Sequence, residues 1–298
     1  MLYVFPDYYK SFNCIASRCR HSCCIGWEID IDDAALARFD SFGGELGKKL
    51  RDNISRDGTP HFILGENERC PFLNENNLCE LILSCGEDML CNICTDHPRF
   101  RNFFPNRTET GLGLCCEEAA RLILDSEKPM ALVYEGECES GDDYADAIIA
   151  LRDELIDMAG SSELTYTERV QAILSRCRTV FPEKTPRKWA KLFLSLERMD
   201  KEWTSLLEGL RKSSIQSFEY DSRSGNLLIY FLYRHLSGAY DDGNIQGRVL
   251  FAVLSVYMIN LLCAVHGSDR IYDIARLYSA EIEYSDENAD ALMSGSFI

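Results

Sequence analysis

The 298-residue chain is long enough for one large domain or two ordinary ones, and with 46% apolar residues it can build a core, which excludes general disorder. Asp and Glu number 48 against 31 Lys and Arg; the formal net charge of -17 repels phosphate backbones and anionic headgroups and argues against nucleic acid as a partner. Of the 14 cysteines, 12 fall between Cys14 and Cys138, leaving only Cys177 and Cys263 beyond, so thiol chemistry belongs to the N-terminal half.

In chain order, the opening Met1 to Asp7 lacks the basic region, apolar core and cleavage site of a secretory signal, which points to a cytoplasmic protein. Thiols stay reduced there, so dense cysteines favour metal ligation or redox chemistry over a disulfide framework. Up to Glu139 the chain is punctuated by Gly, Pro, Asn and Cys, which predicts irregular loops, short helices and a small hairpin around Cys70 to Leu83. From Gly141 the pattern turns helical. Helices are predicted over 143–158, from the Thr165/Glu168 capping box, from Thr185-Pro186 through Met199, and over 202–212, 222–240, 245–266, 269–282 and 286–293. Val249 to Val265 holds no charge but falls short of a membrane span, so a buried central helix is the better reading. The expected architecture is mainly α, with an irregular cysteine-rich, metal-stapled module over 1–140 followed by an all-helical domain over 141–298. No strand and helix alternation suggests a doubly wound sheet, and Gly111-Leu112-Gly113 meets Cys116 where a dinucleotide fingerprint needs its third glycine.

The cysteines form five groups: Cys14-x4-Cys19-x3-Cys23-Cys24; Cys70-Pro71-Phe72-Leu73; Cys79 and Cys85; Cys91-x2-Cys94; and Cys115-Cys116. Thiolates close in sequence can converge on one ion, and ligands from distant segments tie loops together. Structural zinc commonly uses paired C-x2-C knuckles, of which there is one here; iron-sulfur clusters accept more varied spacings, which favours them without excluding zinc. Spacing alone leaves the four ligands open.

The run Phe12-x-Cys14-x4-Cys19-x3-Cys23-Cys24-x-Gly26-Trp27-x-Ile29-Asp30-Ile31 resembles the opening of the flagellin lysine-N-methylase family, which is related to cysteine-rich zinc- or iron-chelating proteins. Cys70-Pro71-Phe72-Leu73 with Leu78-Cys79, Cys94-x3-Pro98-Arg99, and Cys116-x-Glu118-Ala119-Ala120-Arg121 resemble its later blocks in order, and Tyr284 to Asn288 is a weaker echo. The resemblance implies a protein-lysine methyltransferase acting on flagellin, with S-adenosylmethionine as donor and a four-iron, four-sulfur cluster. It places the metal among Cys14, Cys19, Cys23, Cys24, Cys70, Cys79, Cys94 and Cys116. Two departures touch loop geometry and leave every thiol in place: Thr95-Asp96-His97 replaces a basic and aromatic lead, and Glu117 replaces a proline.

Radical S-adenosylmethionine chemistry usually needs C-x3-C-x2-C, and here Cys24 puts the third ligand out of place. A deprotonated lysine amine is already a nucleophile, so in-line displacement suffices where a base and a dry pocket lower its pKa from about 10.4. The sequence assigns no catalytic base and no donor-binding residues. His97 reads as loop packing before a ligand, Arg99 as a loop pin, and Trp27 as a shield beside a metal knuckle. Asp30, Asp32 and Asp33 are candidate bases or ammonium partners, although helix capping before Ala34-Ala35-Leu36 accounts for Asp32.

Overall fold

The computed structural model describes residues 1–138 and 141–295, so the boundary expected at residue 140 lies outside the described residues. The chain forms two compact units: Asn13–Arg99, and Met1–Phe12 together with Phe100–Ile298. The first of these is called the thiol unit below and the second the helical unit.

Strand β1 (Leu2–Pro6) belongs to the helical unit. The thiol unit then holds α1 (Asp33–Ser41), α2 (Gly44–Asp52), the short antiparallel strands β2 (Ile54–Ser55) and β3 (His61–Phe62), α3 (Glu80–Cys85) and α4 (Asn92–Asp96). As expected, Asp32 caps α1: its Oδ1 accepts from the Ala35 N–H at 3.0 Å. The unit's core is a stack of Phe39, Phe62 and Phe72, with ring centroids 5.9 and 5.0 Å apart, flanked by Ile29, Ile31, Leu50 and Leu81. The predicted hairpin at Cys70 to Leu83 shrinks to a single bridge, Leu73 to Cys79, because the returning arm winds into α3.

In the helical unit, β4 (Arg99–Phe103), β5 (Arg107–Leu112) and β6 (Leu132–Gly136) join β1 in a sheet of order β4-β5-β1-β6, with α5 (Glu117–Leu124) between β5 and β6. β1 runs parallel to β5, with Leu2 opposite Arg107, and antiparallel to β6, with Leu2 opposite Gly136. The turn between β4 and β5 is closed by Phe104 N–H donating to Arg107 O at 2.9 Å. This sheet corrects the expectation of an irregular region up to residue 140. The compact division also falls away from that composition break, because Leu114, Ala120, Ile123 and Leu124 pack in one core with the helices. Gly111, read as no part of a phosphate loop, lies in β5, where a Cβ would strike the Phe100 ring.

From Gly141 onward the described residues form only helices and turns: α6 (Asp143–Gly160), α7 (Tyr166–Arg176), α8 (Pro186–Phe193), α9 (Lys201–Lys212), α10 (Ser224–His235), α11 (Ala239–Asp242), α12 (Ile245–His266), α13 (Ile271–Tyr278) and α14 (Asp286–Met293). The Thr165/Glu168 capping box forms, and Pro186 opens α8 behind its Thr185 cap. Two expectations shift: α8 stops at Phe193, short of Met199, and the last turn before α14 is a π segment, Ser279–Glu283. Helix α12 is long and apolar enough to cross a membrane, yet 78% of its most apolar stretch is buried inside this fold, the central position expected for it. Around it pack Trp189, Trp203, Phe231 and Tyr278.

Candidate metal centre

Five thiols of the thiol unit, Cys24, Cys70, Cys79, Cys91 and Cys94, act on one another in a core that Cys85 also touches, and backbone pairing puts them there. Cys70 N–H donates to Cys24 O at 2.9 Å and Gly26 N–H to Glu68 O at 3.1 Å, laying the Cys23-Cys24 turn along the segment before Cys70. The turn Cys70-Pro71-Phe72-Leu73 is closed by Leu73 N–H donating to Cys70 O at 3.1 Å, and Glu80 N–H donates to Phe72 O at 2.8 Å, which returns Cys79 beside it. Between them Asn74 Oδ1 accepts from the N–H groups of Asn76 and Leu78, an Asx turn that fixes the reversal. Cys91 is the N-cap of α4 and Cys94 lies in its first turn, with their Sγ atoms 3.4 Å apart. The cap of α1 also anchors α4, since Asp32 Oδ2 accepts from the Asn92 N–H at 2.8 Å.

Electrostatics ties these residues together. A hydrogen bond from Cys23 pulls the Cys24 thiol down to about 7 against its burial, with Ser22 and the Arg69 charge helping. Burial pushes Cys70 up to about 12 and raises Cys79; Cys94 is raised by its hydrogen bond with Cys91 and by burial. The same contact lowers Cys91. The charges of Cys24 and Cys91 act on all three of Cys70, Cys79 and Cys94. Five thiolates cannot ionise together in so small and apolar a space without a cation. The donor set of soft thiolates from separate segments therefore fits an iron-sulfur cluster or zinc in chemistry. In spacing the thiols stop short: among the described residues, no three His, Cys, Asp or Glu side chains are arranged to hold an ion.

The other sequence-derived candidates are spread more widely. Cys14 is exposed, its Sγ accepting from the Ala16 N–H at 3.4 Å; Cys19 is half-exposed after the turn Ala16–Arg18; Cys23 is exposed beside Cys24. Cys116 is the N-cap of α5, in the helical unit. Cys91 was absent from the residues the resemblance supplies, although its C-x2-C spacing with Cys94 was the signal that could have found it. Cys177 and Cys263 are buried and Cys138 is exposed. Burial holds His97 neutral, its pKa lowered to about 4, in agreement with loop packing. Arg99 pins its loop by donating to Thr95 O at 3.1 Å. Asp30 forms a backbone bridge with His61, and Asp33 lies in the first turn of α1.

The helical unit has its own buried polar cluster. Glu283, fully buried on the π segment, accepts from Tyr230 at 3.1 Å, pairs with Arg234 at 3.3 Å, and meets His235 Nε2 at 2.6 Å. Burial lowers the His235 pKa from its ordinary 6.5, outweighing the pull of Glu283. Burial would raise Glu283, but Arg234 and then His235 outweigh it, and the net direction is down from 4.5. Below pH 6.5 the unfolded chain therefore protonates its histidine before the folded protein does, and below 4.5 it likewise protonates its glutamate first. Both groups stabilise the fold above those values and lose that contribution as pH falls through the lower folded ones. Thermal unfolding followed against pH should show stability dropping on acidification below 6.5, and His235→Asn should flatten the upper part of that drop. An unchanged slope in the variant would remove His235 from the account.

No family model matches the chain, and no solved structure matches it. Among curated proteins it is similar to the flagellar biosynthetic protein FliU of Salmonella muenchen, 29% identical over 134 residues, covering 43% of this chain and 79% of that protein. It is also similar to proteins named lysine-N-methylase from Salmonella typhimurium, 29% identical over 141 residues, and Salmonella choleraesuis, 29% over 134. The matched part spans 33% of the length of each of those two. Over 43% of its length, then, the chain is similar to curated proteins named lysine-N-methylase and FliU, in line with the resemblance its cysteine blocks carry.

Proposed function

We propose that the protein is a lysine N-methyltransferase that modifies a flagellar protein with S-adenosylmethionine as donor, and that its thiol unit binds a thiolate-ligated metal centre. The observation that carries the metal reading is the convergence of Cys24, Cys70, Cys79, Cys91 and Cys94 from separate segments onto one small core. An iron-sulfur cluster, or zinc in its place, would cross-link those segments as a staple. The names of the relatives support the methyl transfer and the flagellar substrate. A groove of about 430 Å³ in the helical unit, lined by Lys128, Arg169, Arg223 and Asn226, has the volume of a small-molecule site.

Protein purified anaerobically, then incubated with flagellin and S-adenosylmethionine, should add methyl masses to flagellin lysines in mass spectra; no donor binding and no added mass would sink the enzyme reading. Metal analysis should find iron and sulfide, or stoichiometric zinc. Cys24→Ser and Cys79→Ser should each lower metal occupancy and stability together, since serine is a poor substitute at a soft centre. Cys263→Ala, buried in α12, should keep the metal and cost at most about 2 kcal/mol. The opposite pattern would place the metal elsewhere.

A further inference from the structure

The sulfurs of Cys91 and Cys94, three residues apart, already touch, at 3.4 Å. The Cys94 and Thr95 N–H groups both donate to Cys91 O at 3.1 Å, closing a turn around the pair. Residues three apart across such a turn have Cα atoms within about 7 Å. That is inside the separation a disulfide spans, and its bond of about 2.05 Å needs only a side-chain rotation from here. The alternatives are poorer. Cys23 and Cys24 are adjacent in the chain, where ring closure works against a planar trans peptide. Among the described residues, no sulfur contact joins Cys70 to Cys79. Access is graded as well: Cys94 is half-buried, and Cys91 beneath it is 1% exposed.

We propose that Cys91 and Cys94 form an oxidisable dithiol that a hydroperoxide converts to an intramolecular disulfide, giving the thiol cluster a reduced and an oxidised form. The Sγ of one of the two, as thiolate, attacks the peroxide oxygen; the O–O bond breaks, hydroxide leaves, and that cysteine becomes a sulfenic acid. The second Sγ then attacks the first, the S–S bond forms, the S–O bond breaks and a second hydroxide leaves. The two thiol protons end on those hydroxides as water. Two electrons pass from the thiols to one hydrogen peroxide, and a dithiol reductant reverses the change. Oxidation also withdraws two of the five converging donors; this consequence rests on the proposed metal reading, whereas the disulfide does not.

The test uses the full chain, reduced, stripped of metal with a chelator, treated with hydrogen peroxide and then alkylated. Cleavage after Glu87 and Glu109 releases a peptide, Asp88 to Glu109, whose only cysteines are Cys91 and Cys94. After oxidation it should carry no alkyl group and be lighter by two hydrogens than the reduced peptide; dithiothreitol before alkylation should restore two alkyl groups. In Cys91→Ser or Cys94→Ser, whichever keeps the attacking cysteine, the sulfenic acid should persist and be captured by dimedone. Two alkyl groups on the oxidised wild-type peptide, or a cross-link from it to Cys24, Cys70 or Cys79, would overturn the proposal. A zinc-loaded sample separates the two readings: zinc retained in full after the disulfide has formed removes Cys91 and Cys94 from the metal centre and leaves the dithiol standing.

Discussion

Replacing Arg152 by Met should destabilise the protein by about 3–5 kcal/mol, because it leaves the Glu109 carboxylate buried without its partner. Both side chains are fully buried, and Arg152 Nη1 pairs directly with Glu109 while donating to Ser237 Oγ at 3.0 Å. Its other nitrogens donate to Asp153 Oδ1 at 2.8 and 3.0 Å, and its guanidinium lies over the Tyr233 ring at 5.1 Å. Arg107, at 3.4 Å from Glu109, is too distant to take over a charge-assisted bond of that quality. Since burying two charges costs several kcal/mol before they attract one another, the double variant Arg152→Met/Glu109→Leu should recover most of the loss. Urea unfolding followed by tryptophan fluorescence in a Trp27→Phe background reads the helical unit, which holds Trp189 and Trp203. A single-variant loss under about 1 kcal/mol would mean that the pair is solvated during local opening.

Phe62→Ala should have a comparable effect on the thiol unit, about 3–5 kcal/mol, from lost transfer energy and the cavity left behind. Phe62 is the middle ring of the stack, 2% exposed, touching Phe39 on one side and Phe72 on the other. The unit has a modest core, and Phe72 lies in the turn that presents Cys70, so the cavity opens directly under the thiol cluster. Hydrogen exchange should show residues 13–99 losing protection while α12 keeps its own. Equal loss in both units would show that they unfold as one.

The helical half of this fold was legible because its signals are local. Thr165 with Glu168 and Thr185 before Pro186 mark helix starts by chemistry that works without tertiary context, and the uncharged run Val249 to Val265 marks the buried helix. The sheet was hidden for the converse reason. β5 reads Arg-Thr-Glu-Thr-Gly-Leu, a polar run that suggests a loop until Arg152, distant in sequence, neutralises the buried Glu109. β1 buries Val4, Phe5 and Pro6 in succession and so lacks strand alternation. In the candidate centre, the resemblance supplied Cys24, Cys70, Cys79 and Cys94, but Cys91 took its place only once α4 put its sulfur against Cys94. The compact units divide elsewhere than the composition break because composition follows the cysteines, whereas packing follows Leu114, Ile123 and Leu124 into the helical core.

The register of the sheet bears on how this chain is made. β1 is parallel to β5, and β4 returns against β5 through a tight turn, so the end of β1 and the start of β4 lie at the same end of the sheet, two strand spacings or about 10 Å apart. Residues 13–99 therefore leave and re-enter the sheet at one end, as an insertion whose removal needs only a short bridge. On the ribosome, β1 emerges well before either strand that pairs with it, and it waits with both edges bare until residues 107–136 have been synthesised. Folding of the inserted segment during that interval shortens the effective loop that β1 must close. A translational pause while residues 13–99 are emerging would then show up as aggregation through the unpaired first strand, at a distance in sequence from the segment that caused it.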